Sequence, residues 1–145
     1  MTTAVFADST TMLYPLDSME PGKSKACAAW LKILRNTNRL TVSPQVLNES
    51  YWVVLRKPAF APARPFIRDY LRNYLPWTTA PLDAATLTGA FGIEDGYGLR
   101  FWDALLVASA NAAGCSHFLS EDLSDGQTYG AVTCSIRFVT GPRTC

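Results

Sequence analysis

The chain has 145 residues, 48% of them hydrophobic, with 13 basic and 12 acidic side chains for a formal net charge of +1. That length supports one domain over 1–145, able to bury roughly 70% of the surface its unfolded chain would expose, and the near-neutral balance excludes a global attraction to nucleic acid, so any such binding rests on a local patch. Four cysteines without CxxC spacing, no basic-then-apolar leader and no run near the ~18 apolar residues of a membrane span point to a soluble cytoplasmic protein with reduced thiols and no membrane partner.

Thr3 to Ala7 reads as a short apolar strand ending at Asp8, where the chain turns toward Met12, Leu13 and Tyr14. By itself Asp8 reads equally well as an N-cap carboxylate. Ser24 to Asn36 places Cys27, Trp30, Leu31 and Leu34 at core spacing on an amphipathic helix. Leu40 to Val42 is the second strand, after which Ser43 caps and Pro44 opens a helix to about Arg56. Glu49 falls in the second turn of that helix, close to the strand that feeds it. Pro58 to Pro65 is a proline-interrupted loop, and the helix that follows to about Tyr74 repeats Arg64, Arg68 and Arg72 along one face. Trp77 to Leu82 predicts a short strand, and Asp83 caps a short helix from Ala84 to Phe91 before a glycine-rich turn at Gly96 and Gly98.

From Phe101 to Ala113 only Asp103, Ser109 and Asn111 are polar, the pattern of a helix packed into protein on all sides, and Gly114 stops it. Cys115 to Ser120 is too short for a helix and reads as a buried strand. Glu121, Asp122 and Asp125 follow in a loop with an Asp-Gly turn, and Val132 to Val139 is the last strand. Strands and helices alternate throughout, which argues for a mainly parallel sheet with helices on both faces. Ligands of such sheets bind outside the carboxyl ends of the strands. Asp8 and Asp122 end two strands, while Glu49 and Asp103 lie near helix starts at the same edge.

Two ionised carboxylates ~4 Å apart repel by roughly 4 kcal/mol at an effective dielectric of ~20. Several in one place must be protonated or neutralised by a cation. An all-oxygen set without a histidine or thiol cluster suits magnesium or manganese rather than zinc, and such an ion would serve phosphodiester hydrolysis. No GxSxG elbow, phosphate-binding GxxxxGK[ST] loop or GxGxxG fingerprint is present. His117 reads as a core or edge residue of its strand, and the cysteines read as small core residues.

The segments FADSTTMLY, VSPQVLNESYWVVLRKP, FWDALLVASANAAGC and HFLSEDLSDGQTYG together resemble the PIN-domain ribonucleases, in particular toxins of bacterial toxin–antitoxin pairs of the virulence-associated protein C type. The resemblance runs from about Ala4 to Val139. It implies a three-layer α/β/α sandwich around a mainly parallel sheet, and an endoribonuclease whose four acids fall on Asp8, Glu49, Asp103 and Asp122. Asp8, Asp103 and Asp122 would hold Mg2+ or Mn2+ directly, Glu49 directly or through water, with Asp125 a further acid in the same loop. It also implies an RNA substrate, a cognate antitoxin and a homodimer. The family usually has Asp-Thr-Asn where this chain has Asp8, Ser9 and Thr10, so a hydroxyl replaces an amide that orients the first ligand. It commonly has a small hydroxyl residue where this chain has Arg100, which reads as altered helix capping or as a contact to substrate phosphate. Thr10, Arg64, Arg68, Arg72 and Arg100 are candidate substrate contacts, with Arg56 and Lys57 as further basic groups. All four acids are retained, which favours an active enzyme over a non-cutting module that binds antitoxin or RNA.

Overall fold

The computed structural model describes residues 3–57 and 63–135. Five short strands form one sheet in the order β2-β1-β3-β5-β4. They are β1 (Val5–Ala7), β2 (Leu40–Thr41), β3 (His117–Leu119), β4 (Thr128–Tyr129) and β5 (Val132–Ser135). The first four positions in that order pair in parallel, and β4 pairs antiparallel with β5. The helices flanking the sheet are α1 (Ser9–Leu13), α2 (Pro21–Asn36), α3 (Pro44–Arg56), α4 (Arg64–Arg72), α5 (Ala84–Tyr97) and α6 (Phe101–Ala112). The result is a three-layer α/β/α sandwich, as the alternation predicts.

The register places the site. Phe6 is opposite Phe118 and Ala7 opposite Leu119, so β1 and β3 end level and the residues after them, Asp8 and Ser120, emerge side by side. The rings of Phe6 and Phe118 stack with centroids 5.0 Å apart and both are fully buried. Burying one such side chain contributes roughly 1.5–3 kcal/mol, which anchors the two central strands immediately beneath the rim. Because α6 starts at the rim and runs back to the opposite edge, where β3 sets out, its N-terminus, with Asp103 in the first turn, lies at the same edge as the strand ends.

The structure corrects two expectations. Trp77 to Leu82 is not a strand: Leu75–Trp77 is a 3₁₀ turn, and a single parallel bridge from Thr78 to Val42 is all the sheet pairing it makes. Pro76 precedes the stretch and Pro81 lies within it, and neither carries an N–H to donate to a ladder. The helix expected to stop near Phe91 runs on to Tyr97. Gly96 is not a turn residue; only Gly98, at φ 68°, takes the left-handed conformation that ends the helix. Gly89 faces Ala108 of α6, where a Cβ would make an ordinary contact at 3.5 Å, while Gly92 and Gly96 have open space beside them. The two-residue β4 was not anticipated, and α2 starts three residues earlier than expected, on Pro21. Cys27, Cys115 and Cys134 are buried free thiols, as expected of core residues. Cys145, the end of the predicted last strand beyond Ser135 and most of the Pro58 to Pro65 loop lie outside the described residues. Among the described residues no helix is long and apolar enough to cross a membrane.

Candidate active site

Asp8, Glu49, Asp103 and Asp122 line one cavity of about 310 Å³ at the carboxyl rim of the sheet, together with Ser9, Arg100 and Trp102. Four segments far apart in the chain supply them, and each acid is held by its own neighbours.

Asp8 ends β1 and caps α1, its Oδ1 accepting from the Thr11 N–H at 2.9 Å. The Thr11 hydroxyl lies 2.9 Å from the same oxygen and 3.1 Å from the Leu119 carbonyl, which ties β1 to β3 at the rim. Asp8 is only 4% exposed. Burial pushes its carboxyl up to about 6, against hydrogen bonds from Thr11 and Ser120 that favour the ionised form, and the nearby Asp122 adds to the rise. Cap and site acid are thus the same residue.

Glu49 accepts at Oε1 from Gln45 Nε2 at 2.8 Å, one turn earlier on α3, and at Oε2 from the Ser9 hydroxyl at 3.5 Å. The Gln45 amide also donates to the Trp102 carbonyl at 3.2 Å, joining α3 to the first turn of α6. Asp103 accepts at Oδ2 from Arg100 Nε and Nη2, both at 3.2 Å. Arg100 occupies the N-cap position of α6 without capping it, so the altered capping is real, and its guanidinium turns onto Asp103 instead. Asp122 donates its backbone N–H to the Ser120 hydroxyl at 3.1 Å. Ser120 therefore supports both Asp8 and Asp122.

The loop that carries Asp122 is braced from outside the cavity. Glu121 forms an ion pair with Lys23 at 2.8 Å and accepts from the Tyr14 hydroxyl. Burial pushes the Glu121 carboxyl up, but the bonds from Lys23 and Tyr14 outweigh it and hold the group below its usual range. The Tyr14 phenol is pushed up to about 12 by burial and by the Glu121 carboxylate. Gln45, Ser120, Thr11, Tyr14 and Lys23 were not singled out in the sequence. Each is one polar residue whose role exists only once distant segments meet.

The remaining candidates lie elsewhere. Thr10 lines a neighbouring cavity rather than the acidic one. Arg68 and Arg72 face a groove between α3 and α4; Arg68 donates to the Tyr51 hydroxyl at 2.8 Å and Arg72 pairs with Asp69 at 2.7 Å. Arg64 opens α4 and does not line the acidic cavity, and Asp125 lines a third cavity with His117 and Arg39. Only Arg100 of the candidate cations reaches the four acids.

As the side chains stand, no three histidine, cysteine, aspartate or glutamate groups among the described residues are arranged to hold a metal ion. The donor chemistry nevertheless fits a hard divalent cation: four carboxylates, with one arginine as the only cation among the lining residues. Unscreened carboxylates repel, and here those of Asp8, Glu49 and Asp103 have turned to local partners, so a ligand set would form by side-chain rotation toward the ion.

A mostly parallel sheet between helix layers, with an acidic cavity at its carboxyl rim, defines a three-layer α/β/α domain. The chain belongs to the PIN domain family, whose description matches residues 5–124. PIN domains are generally metal-dependent nucleases. Comparison with curated proteins gives no match.

Proposed function

We propose that the protein is an Mg2+- or Mn2+-dependent endoribonuclease acting as the toxin of a toxin–antitoxin pair, cytoplasmic, homodimeric and blocked by a cognate antitoxin. The observation that carries the catalytic part is the meeting of Asp8, Glu49, Asp103 and Asp122 in one cavity. The biological role and the partners rest on the sequence resemblance set out above.

Asp8, Asp103 and Asp122 are the residues that would hold the ion. When bound, it supplies charge to polarise a phosphoryl oxygen and to activate water. Thr11 and Ser120 fix the position of Asp8, Ser120 fixes the backbone of Asp122, and Gln45 fixes Glu49 at the edge of the ligand set. Arg100, 81% exposed at its side chain, is placed to take a substrate phosphate once its hold on Asp103 is released. With water rather than the ribose 2′-hydroxyl as nucleophile, its oxygen would bond to phosphorus as the P–O3′ bond breaks, leaving a 5′-phosphate and a 3′-hydroxyl.

A second reading is a non-cutting module that binds antitoxin or RNA. It is favoured by the Arg100–Asp103 pair and by the absence, among the described residues, of three acids already converged. Incubating cellular RNA with the protein and manganese separates the two readings. Cleavage by the parent and not by Asp103→Asn supports the nuclease, and equal behaviour of both proteins overturns it.

A further inference from the structure

Beside the acidic cavity lies a second one of about 240 Å³, and Ser9 forms part of the wall of both. Its lining is of two kinds. Leu13, Tyr14 and Val53 offer apolar and aromatic surface, while Thr10, Asp17 and Lys57 bring hydroxyl, carboxylate and ammonium groups to it. Apolar walls with a few placed polar groups characterise small-molecule sites, and the volume is below that of drug-sized pockets, on the scale of a single planar ring system. Nothing in the catalytic arrangement uses this cavity.

Two of its walls are fixed in advance. The Tyr14 hydroxyl donates to Glu121, and Lys23 both donates to that hydroxyl at 3.4 Å and stands over the ring, 5.3 Å from its centroid. An aromatic wall held in this way loses little freedom when a ring packs on it. Asp17 accepts the Met19 N–H at 2.9 Å through Oδ1, a single bond that restrains the carboxylate and leaves it further capacity to accept a donor.

We propose that this cavity is a nucleobase subsite, taking the base of a nucleotide adjacent to the phosphate held in the acidic cavity, and that Asp17 selects bases presenting an exocyclic amine. The proposal rests on the nuclease reading for the position of that phosphate. Aromatic and apolar surface accepts the face of any base. A carboxylate, which can only accept, discriminates by edge: cytosine, adenine and guanine each offer an exocyclic amino group, whereas uracil offers only its ring N3–H between two carbonyl oxygens, which a carboxylate repels. Ser9, which departs from the family's usual residue, then stands between the two cavities, and Thr10 lines the base side.

The test is fluorescence anisotropy with labelled seven-nucleotide oligo-C, oligo-A and oligo-U RNAs, using the full chain carrying Asp103→Asn to prevent cutting. Asp17→Asn keeps an oxygen for the Met19 N–H but replaces the second acceptor by a donor. Val53→Trp fills the cavity from α3 and replaces none of the four acids of the neighbouring cavity. The expected result is a preference for oligo-C and oligo-A over oligo-U of about tenfold or more, the low end for one specific base contact. Asp17→Asn should collapse that preference. Val53→Trp should weaken all three by about tenfold, with melting temperature kept at the parent value.

Equal affinities for the three RNAs, unchanged behaviour of both variants, or no binding by the parent would overturn the subsite. Should Val53→Trp fail to fold, Asp17→Asn carries the decision alone. Failure of the nuclease reading is distinguishable: a chain that binds with the stated preference, loses it in Asp17→Asn and yet cuts no RNA in manganese has the subsite without the activity.

Discussion

Replacing Asp8 by asparagine tests how much the acidic cavity costs the fold when no cation is bound. Asparagine is nearly isosteric and keeps an oxygen to accept the Thr11 N–H, so the cap of α1 survives. What is removed is a charge that burial disfavours. The carboxyl rises from 3.8 to about 6, a difference of about 2 pK units, and at ~1.4 kcal/mol per unit that amounts to about 3 kcal/mol. Because Asp8 is 4% exposed, solvent screening takes little from the figure, although an amide facing Ser120 gives back about 1 kcal/mol.

The sign follows from proton counting. Between about pH 4 and pH 6 the folded chain holds a proton at Asp8 that the unfolded chain releases, so stability falls as pH rises through this window. Thermal melts in EDTA across the window should show the parent losing stability while Asp8→Asn stays flatter. The curves should meet near pH 4 and stand apart above pH 6, with the variant higher by about 2 kcal/mol, or roughly 6 °C for a domain of this size. A variant that melts below the parent at neutral pH would refute the reasoning. It would mean that the ionised carboxylate contributes more through its hydrogen bonds than its burial costs.

Other consequences follow from the same geometry. Arg100→Ala removes the guanidinium from Asp103; since the pair is exposed on the arginine side and worth about 0.2–1 kcal/mol, manganese should bind about two- to fivefold more tightly by calorimetry, whereas weaker binding would assign Arg100 to orienting Asp103. Gln45→Ala leaves Glu49 and the Trp102 carbonyl without their shared donor and should cost about 1–2 kcal/mol in urea unfolding; no change would mean that water replaces the amide. Glu121→Gln breaks the ion pair to Lys23 that braces the loop after β3, and amide hydrogen exchange at Asp122 and Leu123 should quicken relative to Phe118. Uniform protection in that variant would show that the brace does not hold the loop.

How legible all this was depended on the range of the physics involved. The buried run in α6 and the Ser43–Pro44 start of α3 are local patterns, and both elements form where those patterns predict. The placing of the four acids around one cavity could be anticipated because a parallel sheet sends every strand end to one rim, and the residues needed only to be near strand ends or helix starts. The errors came where local and tertiary preferences disagree. Gly89, Gly92 and Gly96 weaken an isolated helix, yet packing of Ala90 among Ala104, Leu105 and Ala108 of α6 holds α5 together and it continues through them to Gly98. Trp77 to Leu82 has strand-like side chains, but its prolines deny it a ladder. Two residues of β4 are too few for any periodicity. The braces on the acids were illegible for a different reason: Gln45, Ser120 and Tyr14 are ordinary polar residues until Trp102, Asp8 and Glu121 arrive beside them from elsewhere in the chain.

The account stands on one cavity gathering a cation between acids of different segments, and anomalous diffraction from crystals grown with manganese addresses that directly. It predicts a manganese peak in the cavity within coordination distance of Asp8, Asp103 and Asp122, with Arg100 withdrawn from Asp103. Manganese bound only elsewhere, with Asp103 still held by Arg100, would contradict it.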